Sequence, residues 1–323
     1  MRETSHNTEP GQRGEEIESG RPLKLGVMGM SEGNGHPYSW SAIFNGFDPV
    51  GMSSCPFPVI PEYLSERTFP EDALSEGNVT HIWTQELATS RHIARASLIE
   101  NVVEDPKDMI SQIDALLLAR DDAENHLAFA APFLDAGIPI YIDKPLALST
   151  RSANELLDRQ QYEGQIFSCS AMKFAKEFQP TESQITAVGR VLSVDSIVMK
   201  SWAKYAIHIV DPVLNMLPQL GKVVSSTVDR DAPTNRVSVA VLWDSGITST
   251  FASEFSFKGP VRITLVGEDG SMELSFSDSF SAFKRALKSF VDIVAGRTPA
   301  PSREELVAPI SIIELGLNRN SLT

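Results

Sequence analysis

Two short apolar runs, separated by a helical pattern, organise the chain between residues 114 and 148. Residues 115–119 and residues 138–142 are apolar almost throughout, and the helical spacing between them ends at Gly137. Continuous apolar runs of this length are typical of strands that are buried on both faces of a parallel sheet, and glycine often ends a helix. The pattern therefore predicts a parallel strand–helix–strand unit.

The patterns on either side of this unit predict a two-domain α/β protein. A strand, a glycine-rich turn and a helix follow one another at residues 23–47, and another strand covers residues 79–86. Strands that alternate with helices predict a parallel sheet of the Rossmann type, which we place at residues 22–170. Period-two alternation after residue 221 is typical of an antiparallel sheet with one solvated face. We therefore predict a C-terminal α+β domain with a large, mainly antiparallel open sheet at residues 171–323.

Two segments fall outside the regular pattern. Residues 1–21 are polar and charged and lack an apolar core of the kind found in export signals, so we predict a flexible tail. Residues 48–78 contain five prolines and no sustained period, which predicts an inserted loop between the first helix and the second strand. Its apolar residues favour a packed loop that serves as a lid or a subunit contact.

Composition narrows the classes of partner. The chain has 323 residues, 42% of them hydrophobic, and a formal net charge of −14, whereas nucleic-acid and membrane-surface binding need a basic face. A small-molecule substrate fits better. Cys55 and Cys169 are far apart without a Cys/His cluster, so we expect reduced thiols, no metal site and a cytoplasmic protein. No apolar run reaches the length of a membrane span.

The glycine-rich turn after the first strand is a candidate phosphate site. A strand followed by such a turn and a helix can receive a pyrophosphate on free backbone N–H groups. The spacing is irregular, however, and an ordinary glycine-rich turn is an equal alternative. Aromatic residues follow, and they either rim the pocket or form a packed cluster with one surface histidine. The turn residues are Gly29, Ser31, Gly33 and Asn34, and the ring residues are His36, Tyr38 and Trp40.

The end of the second strand bears on the choice of cofactor. A site that prefers NAD places an acid there for the ribose hydroxyls, whereas an NADP site avoids the acid and offers arginine. Thr84 and Gln85 occupy the strand end, with Glu86 one position late and Arg91 a helical turn further. The residues leave NAD and NADP both open.

Three motifs in this order resemble a known family. RDDAENH occupies residues 120–126, DKP residues 143–145 and HIVD residues 208–211. The order resembles the Gfo/Idh/MocA oxidoreductases, which include glucose–fructose oxidoreductase and inositol dehydrogenase, over residues 22–323. The most specific segment, AGIPIYIDKPLAL, is similar to the family signature AGxxVxxEKPxA, with Asp143 in place of glutamate.

The resemblance implies a catalytic role for Lys144. In the family this lysine lies beside the nicotinamide and the reacting carbinol, where an ammonium group can hydrogen-bond the hydroxyl and stabilise alkoxide character. Pro145 would fix the turn, and we predict a cis bond between the two residues, since only X–Pro bonds adopt cis at modest cost. The alternative is a surface Lys-Pro pair that caps a strand.

The segment at residues 201–217, predicted as one amphipathic helix, is similar to the family's DxGxHxxD helix. His208 would relay a proton or bind the hydroxyl, or else be a core histidine satisfied by Asp211. Lys204 stands where the family usually has aspartate. Repulsion from Lys144 would favour a neutral lysine base, or Lys204 would bind a substrate carboxylate or phosphate, or it would pair with an aspartate of the turn at residues 120–122.

The resemblance also implies the remaining site residues and the activity. We expect an NAD(P)-dependent oxidoreductase that acts on a hydroxyl of a sugar, sugar nucleotide or cyclitol, as a homo-oligomer (dimer or tetramer) assembled through the C-terminal sheet. One alternative is an epimerase, eliminase or hydride-exchange enzyme that retains its cofactor; another is a non-catalytic sensor or scaffold. The expected cofactor residues beyond the glycine turn are Thr84, Arg120, Asp121, Asp122, His126, Asp143 and Pro145, and the expected substrate residues are His36, Tyr38, Trp202, Tyr205 and Asp211.

Overall fold

The computed structural model describes residues 20–318, and the predicted tail lies outside them except at its last two residues. The first sheet has six parallel strands in the order β3-β2-β1-β4-β5-β6, as predicted for a Rossmann domain. The order reverses beside β1, and ligands bind at such a switch point in open parallel sheets. The strands are β1 (Leu23–Met28), β2 (Gly77–Trp83), β3 (Asn101–Val102), β4 (Ala115–Leu118), β5 (Ile140–Ile142) and β6 (Ile166–Phe167).

The strand–helix–strand unit predicted between residues 114 and 148 is confirmed. All residues of β4 and β5 are buried, and the helix between them ends at Asp135, two residues before Gly137, whose φ of +74° suits glycine. The guanidinium of Arg21 donates to both carboxylate oxygens of Asp114 at 2.6 and 2.8 Å. The helices of this part of the chain are α1 (His36–Asn45), α2 (Pro49–Met52), α3 (Val59–Ser65), α4 (Leu87–Ala96), α5 (His126–Asp135) and α6 (Thr150–Leu157).

The second sheet is mainly antiparallel and has the strand order β12-β11-β7-β10-β9-β8. Among the strand pairs of this second sheet that the structure describes, only the pair of β7 and β10 is parallel. The α/β class with a second, mainly antiparallel sheet is therefore confirmed, while the domain boundary at residue 170 stays a prediction. The strands are β7 (Val191–Met199), β8 (Val223–Asp231), β9 (Arg236–Trp243), β10 (Thr248–Glu254), β11 (Arg262–Gly267) and β12 (Ser271–Ser275).

Residues 201–217 form two helices, and the expectation of one continuous helix is wrong. The first turn ends at Tyr205, and Ala206 lies between the two helices. Pro212 lies inside the second helix, and proline cannot donate to a helical hydrogen bond. The helices of the second half are α7 (Glu182–Val188), α8 (Trp202–Tyr205), α9 (Ile207–Met216), α10 (Ser279–Val294) and α11 (Arg303–Leu317).

The last helix, α11, contacts both halves of the molecule. The Glu314 carboxylate accepts from the backbone N–H and the hydroxyl of Thr150 at 3.0 and 2.8 Å, at the start of α6. On α8, Trp202 donates from Nε1 to the Ile313 carbonyl at 2.8 Å and packs against Gly316, where a Cβ would come within 2.2 Å of its ring. The C-terminal helix therefore joins the first sheet's periphery to the second sheet's helices.

The segment at residues 48–78 is packed, as its apolar residues predicted. It contains α2 and α3, and Ile60 and Leu64 are buried. The Arg67 guanidinium pairs with Asp278 at 2.9 Å and lies 4.9 Å from the centre of the Phe280 ring, both at the start of α10. Its role as a lid or a subunit contact stays a prediction. Within residues 20–318, no helix is both long and apolar enough to cross a membrane.

Candidate active site

The loops that follow β1, β4 and β5 meet at the carboxyl edge of the first sheet. Ser31, after β1, donates from its hydroxyl to Asp121, after β4, at 2.6 Å, and receives the Asp121 backbone N–H at 3.0 Å. Asn34 donates from Nδ2 to Asp143, after β5, at 2.7 Å. Because the carboxyl ends of parallel strands share one edge, three separate motifs of the sequence converge here.

The glycine-rich turn offers a cradle for an anion. Gly33 has a φ of +77°, and a Cβ at this position would meet nothing within 4 Å. The backbone N–H groups of Glu32 and Gly33 have no hydrogen-bond partner within residues 20–318. Free N–H groups before a helix N-terminus are the arrangement that receives phosphate groups, so the turn fits the pyrophosphate of a dinucleotide.

Gln85, at the end of β2, holds the turn in place. Its side-chain oxygen accepts from the Met30 N–H at 2.9 Å, and its Nε2 donates to the Met30 carbonyl at 2.9 Å. The Thr84 hydroxyl lies against Ser90 at 2.8 Å and donates to the Glu86 carbonyl, so it serves the start of α4. A ribose contact from Thr84 stays a prediction. Sequence reasoning did not assign Gln85 to the site, although a polar residue at a strand's carboxyl end was a usable signal.

Within the turn after β4, Arg120 and Asp122 neutralise each other. The guanidinium donates to both Asp122 oxygens at 2.9 and 2.5 Å, and it lies 4.3 Å from the centre of the Phe129 ring. Burial opposes ionisation of Asp122, but the hydrogen bonds from Arg120 and Asn125 hold its pKa below the usual range. Neither charge of this pair is therefore available to balance the lysines of the site.

His126 is fully buried and bridges two of the site loops. Its Nδ1 lies 3.0 Å from the Leu146 carbonyl oxygen, and its Nε2 lies 2.8 Å from the Arg120 carbonyl oxygen. Both ring nitrogens are therefore used by the protein, and a cofactor contact of His126 stays a prediction. Its ring instead fixes the loop after β4 against the loop after β5.

Lys144 is buried at the corner that the DKP motif forms, with only 6% of its surface exposed. The Lys144–Pro145 peptide bond is cis, as predicted. Its Nζ lies 3.4 Å from Asp121, and its backbone N–H donates to Asp143 at 2.7 Å. The alternative of an exposed Lys-Pro cap does not agree with this burial, because charged residues are rarely buried unless paired.

Lys204 pairs with Asp121, which confirms one of the three predicted alternatives. Its Nζ lies 3.1 Å from Oδ1 of Asp121, while Oδ2 faces Lys144. Burial would raise the pKa of Asp121, but Lys144, Ser31 and Lys204 together lower it to about 2. One buried carboxylate therefore balances two ammonium groups that come from different parts of the fold.

His208 lies on α9 and has one committed nitrogen. Nδ1 lies 2.8 Å from the Ser170 hydroxyl, and no polar group within residues 20–318 is bonded to Nε2. Burial, and after it the charge of Lys144, lowers the pKa of His208 well below its usual value. A neutral imidazole that keeps its proton on Nδ1 for Ser170 can accept a proton at Nε2.

Asp211 is held by groups of the protein, and a substrate contact of this residue stays a prediction. It is 5% exposed, accepts from the Ser170 backbone N–H at 2.8 Å and faces Lys173 at 3.8 Å. Burial raises the pKa of Asp211, whereas the pKa of Lys173 is raised despite burial because Asp211 lies beside it. Ser170 thus links Asp211 to His208, a role that sequence reasoning missed although Ser170 follows β6.

The aromatic residues divide between packing and the site. Tyr38 and Trp202 are 2% and 4% exposed, and both polar groups are used inside the fold, since the Tyr38 hydroxyl lies 2.6 Å from His92 Nδ1. Both rings therefore serve packing, and substrate binding by either of them stays a prediction. Trp40 stacks on Tyr141 at 4.7 Å, which favours the packed cluster over the pocket rim.

His36 and Tyr205 remain next to the candidate catalytic groups. Nδ1 of His36 lies 2.5 Å from Asp143, and its ring contacts Phe283 of α10 at 5.0 Å. The Tyr205 ring contacts His208 at 5.5 Å and lies 5.5 Å from Nζ of Lys144. His36 belongs to α1 and Tyr205 to α8, so the two rings come from the two halves of the chain, and a substrate between them could contact both.

The arrangement brings a buried lysine, a histidine with a lowered pKa and a turn with free N–H groups to the carboxyl edge of the first sheet. A group of three or more metal-ligating side chains does not occur within residues 20–318. Such a cleft can hold a hydroxyl, remove its proton and stabilise the oxygen that remains.

Comparisons with known proteins agree with this geometry. Residues 63–170 match the family model described as "Oxidoreductase family, NAD-binding Rossmann fold" (GFO_IDH_MocA). No curated protein matches the sequence.

Solved structures share the fold along nearly the whole chain. The myo-inositol dehydrogenase from Lactobacillus casei, in complex with NAD(H) and myo-inositol, is 15% identical over 92% of this chain and 94% of its own, with a TM-score of 0.67. Biliverdin reductase from Synechocystis sp. PCC 6803, in complex with biliverdin and NADP+, is 13% identical over 92% of this chain and 98% of its own, with a TM-score of 0.66. A probable dehydrogenase from Thermotoga maritima is 14% identical over 91% and 96%, with a TM-score of 0.66. At these identities the likeness shows the fold.

Proposed function

Through residues 63–170 the chain belongs to the Gfo/Idh/MocA oxidoreductase family with its NAD-binding Rossmann fold, and on that premise we propose that it oxidises or reduces a hydroxyl-bearing carbon. The substrate class we propose is a sugar, sugar nucleotide or cyclitol. One arrangement supports the proposal most directly. Nζ of Lys144 lies 3.4 Å from Asp121 and 5.5 Å from the centre of the Tyr205 ring, and that ring also contacts His208.

Nicotinamide adenine dinucleotide, with or without the additional phosphate, would supply the hydride acceptor or donor. The free N–H groups of Glu32 and Gly33 would hold its pyrophosphate, and Ser31 and Asn34 would keep the turn fixed through Asp121 and Asp143. The strand end offers Thr84 and Gln85 but no aspartate or glutamate at the terminal position, so NAD and NADP remain alternatives.

Lys144 would hold the substrate hydroxyl. Its ammonium group can donate to the hydroxyl oxygen and stabilise the negative charge that develops there, while Asp121 lies 3.4 Å from Nζ and orients it. Because the lysine is 6% exposed, water competes little for that donor, and a preorganised charge in such a site is more effective than in water.

His208 would take the hydroxyl proton at Nε2. Its lowered pKa keeps the ring neutral near pH 7, and the Ser170 contact at Nδ1 leaves the other nitrogen as the acceptor. Asp211 would hold Ser170 from behind through the backbone N–H. Oxidation in this scheme transfers one proton to His208 and leaves Lys144 charged throughout.

The second domain would bind substrate and form the contact between subunits. The outer strand, β8, is exposed over most of its length, including Val223 and Val224. An exposed sheet edge with apolar residues is prone to pair with another chain, so we propose a homo-oligomer through this sheet. Its molar mass in solution, measured by light scattering, tests this, and a monomer at micromolar concentration would contradict it.

Nucleotide retention and turnover test the proposed activity together. Mass spectrometry of the purified protein would identify bound NAD or NADP, and a panel of sugars, sugar nucleotides and cyclitols would be assayed with each dinucleotide by nicotinamide absorbance. Reduction of added dinucleotide supports simple dehydrogenation, and turnover without added dinucleotide would indicate a cofactor that is retained and regenerated. Binding of neither nucleotide would overturn the proposal.

A further inference from the structure

We propose that the substrate carries an anionic group, a carboxylate or a phosphate, that Lys200 and Lys204 hold beside Tyr205. The inference rests on the proposed function, because it names the substrate class for the same cleft. It also narrows that function, since neutral sugars and cyclitols carry no such group, whereas sugar nucleotides and other sugar phosphates or sugar acids do.

Three lysine ammonium groups lie near Tyr205, and only two of them pair with a carboxylate. Lys144 and Lys204 both lie against Asp121, at 3.4 and 3.1 Å. Lys200 has no carboxylate partner within residues 20–318, and its Nζ instead donates to the Tyr205 hydroxyl at 2.5 Å. The cleft therefore has an excess of positive charge, although the whole chain carries a net charge of −14.

Tyr205 brings these charges close to one another. Nζ of Lys200 lies 4.5 Å from the centre of its ring, and Nζ of Lys144 lies 5.5 Å from the same centre. The two ammonium groups can be no farther apart than those two distances combined. Like charges at such separations repel unless an anion lies near them.

The neighbouring acids are committed elsewhere. Asp122 is held by Arg120, and Asp143 accepts from Asn34 and faces His36. Lys204 reaches only Asp121 and the backbone carbonyl of Glu32. No further carboxylate of the described residues pairs with the three lysines, so the missing negative charge fits a ligand.

The backbone at Lys200 is a second, independent observation. Its φ is +66°, in the left-handed region that lysine rarely adopts, directly after β7. Such conformations persist where the surrounding structure fixes them, and they concentrate at ligand sites. Lys200 itself is exposed, and its ammonium group donates to the Tyr205 hydroxyl. The Tyr205 ring in turn contacts the ring of His208.

The pKa of His208 also depends on the positive charge of the neighbouring lysines. Burial is the main cause of the lowered pKa of His208, and the charges of Lys144, His36 and Lys200 lower it further. An anion beside Tyr205 would offset that effect, so a bound anionic substrate would raise the pKa of His208 and make it a better base. A lysine ammonium is a point charge that suits carboxylate and phosphate alike.

Equilibrium binding to the complex with NADH tests the proposal without relying on turnover. Two matched sets of probes would be titrated calorimetrically: glucose, glucuronate and glucose 6-phosphate, and then myo-inositol and myo-inositol 1-phosphate. We expect at least one anionic probe to bind about tenfold or more tightly than its neutral parent, with an affinity that falls as salt rises. The carboxylate and phosphate members of the sets separate the two sources of charge.

Variants of Lys200 assign the effect to this site. Lys200→Met is expected to remove most of the preference for the anion, and Lys200→Arg to keep it, because only the charge is needed. Lys258→Met is the matched control, since Lys258 is exposed in the loop between β10 and β11 and lies outside the candidate site. The control is expected to bind like the parent.

The possible outcomes distinguish a failure of the anionic-substrate inference from a failure of the proposed function. Binding of NADH with no preference for either anion over its neutral parent, or a preference that Lys200→Met leaves intact, would overturn the anionic substrate. If neither NADH nor NADPH bound, the proposed function would fail first. Oxidation of neutral polyols alone would keep the proposed function and overturn this inference.

Discussion

Nζ of Lys204 lies 3.1 Å from Oδ1 of Asp121, and this contact joins a helix of the second half of the chain to the carboxyl edge of the first sheet. The signature that residues 201–217 resemble has an aspartate where Lys204 stands, so this ion pair is a feature of the present sequence. Asp121 also faces Lys144, and the contact therefore ties Lys204 to the group that carries the proposed chemistry.

Replacing Lys204 with aspartate tests this contact. Lys204→Asp alone would place two carboxylates near each other, and we expect kcat/KM to fall by about tenfold or more. Lys204→Asp combined with Asp121→Asn removes the repulsion and is expected to recover part of that loss. Equal activity of the single and the double variant would show that the two positions are not coupled.

The charge of Asp121 should also be visible in stability. Its pKa is about 2 in the folded protein against an ordinary 3.8, so the carboxylate contributes about 2 kcal/mol. Because the folded pKa is the lower one, this contribution is present above pH 4 and disappears as the pH falls towards 2. Asp121→Asn is therefore expected to lower the free energy of unfolding at pH 7 by roughly this amount. Urea unfolding at several pH values would measure it, and a difference that persists undiminished at low pH would contradict the assignment.

Removal of the Lys144 ammonium should affect the chemical step. Lys144→Ala is expected to lower kcat by roughly 10²–10⁴-fold, since it removes the hydrogen bond to the developing alkoxide. Binding of NADH, measured by fluorescence titration, should stay within a few-fold of the parent. A variant with near-parental kcat on the true substrate would show that another group holds the hydroxyl.

The pH dependence of turnover should report His208. The base is the neutral ring, and its pKa in the free protein lies well below 6.5, so kcat/KM for oxidation should stay level as the pH falls through 6.5 and decline only further down. His208→Asn should lower kcat and abolish that acidic decline. A parental profile with its midpoint at or above 6.5 would mean that the ring is charged in the working enzyme.

The glycine turn offers a matched pair of substitutions. Gly33 and Gly246 have φ values of +77° and +83°, and a Cβ at either position would meet nothing within 4 Å. Alanine at either position should cost about 1–2 kcal/mol in the free energy of unfolding, because both backbones are left-handed. Only Gly33→Ala is expected to weaken NADH binding as well, which titration of the two variants would show. Equal NADH affinities would remove Gly33 from the cofactor site.

Periodicity was enough to predict the two sheets, because buried parallel strands and one-sided antiparallel strands have different patterns. The unit formed by β4, α5 and β5 and the cis bond before Pro145 follow from local sequence. The break at Ala206 does not, since the apolar spacing continues across it. A break between two helices depends on how they pack in three dimensions, and the spacing of apolar residues does not report such packing.

Site residues were predictable where a motif named them and less so where the fold brings them together. Lys144 followed from the resemblance to the family signature, and opposite charge predicted that Lys204 pairs with Asp121 or Asp122, of which the structure shows Asp121. His126 and Trp202 have side chains that suit a ligand site, but their hydrogen bonds are satisfied by backbone carbonyls distant in sequence. Ser170 and Gln85 carry little chemical signal by themselves, and only their three-dimensional partners give them a role.

The contact of Glu314 with Thr150 has a consequence for how the two halves of the molecule depend on each other. The segment that carries Lys144 leads into α6, and the start of α6 is held by a carboxylate that lies 164 residues later in the chain. During synthesis, that corner obtains this partner only after all strands of the second sheet have been made. The first sheet's half, expressed by itself, would lack this contact and would expose the surface that α11 covers.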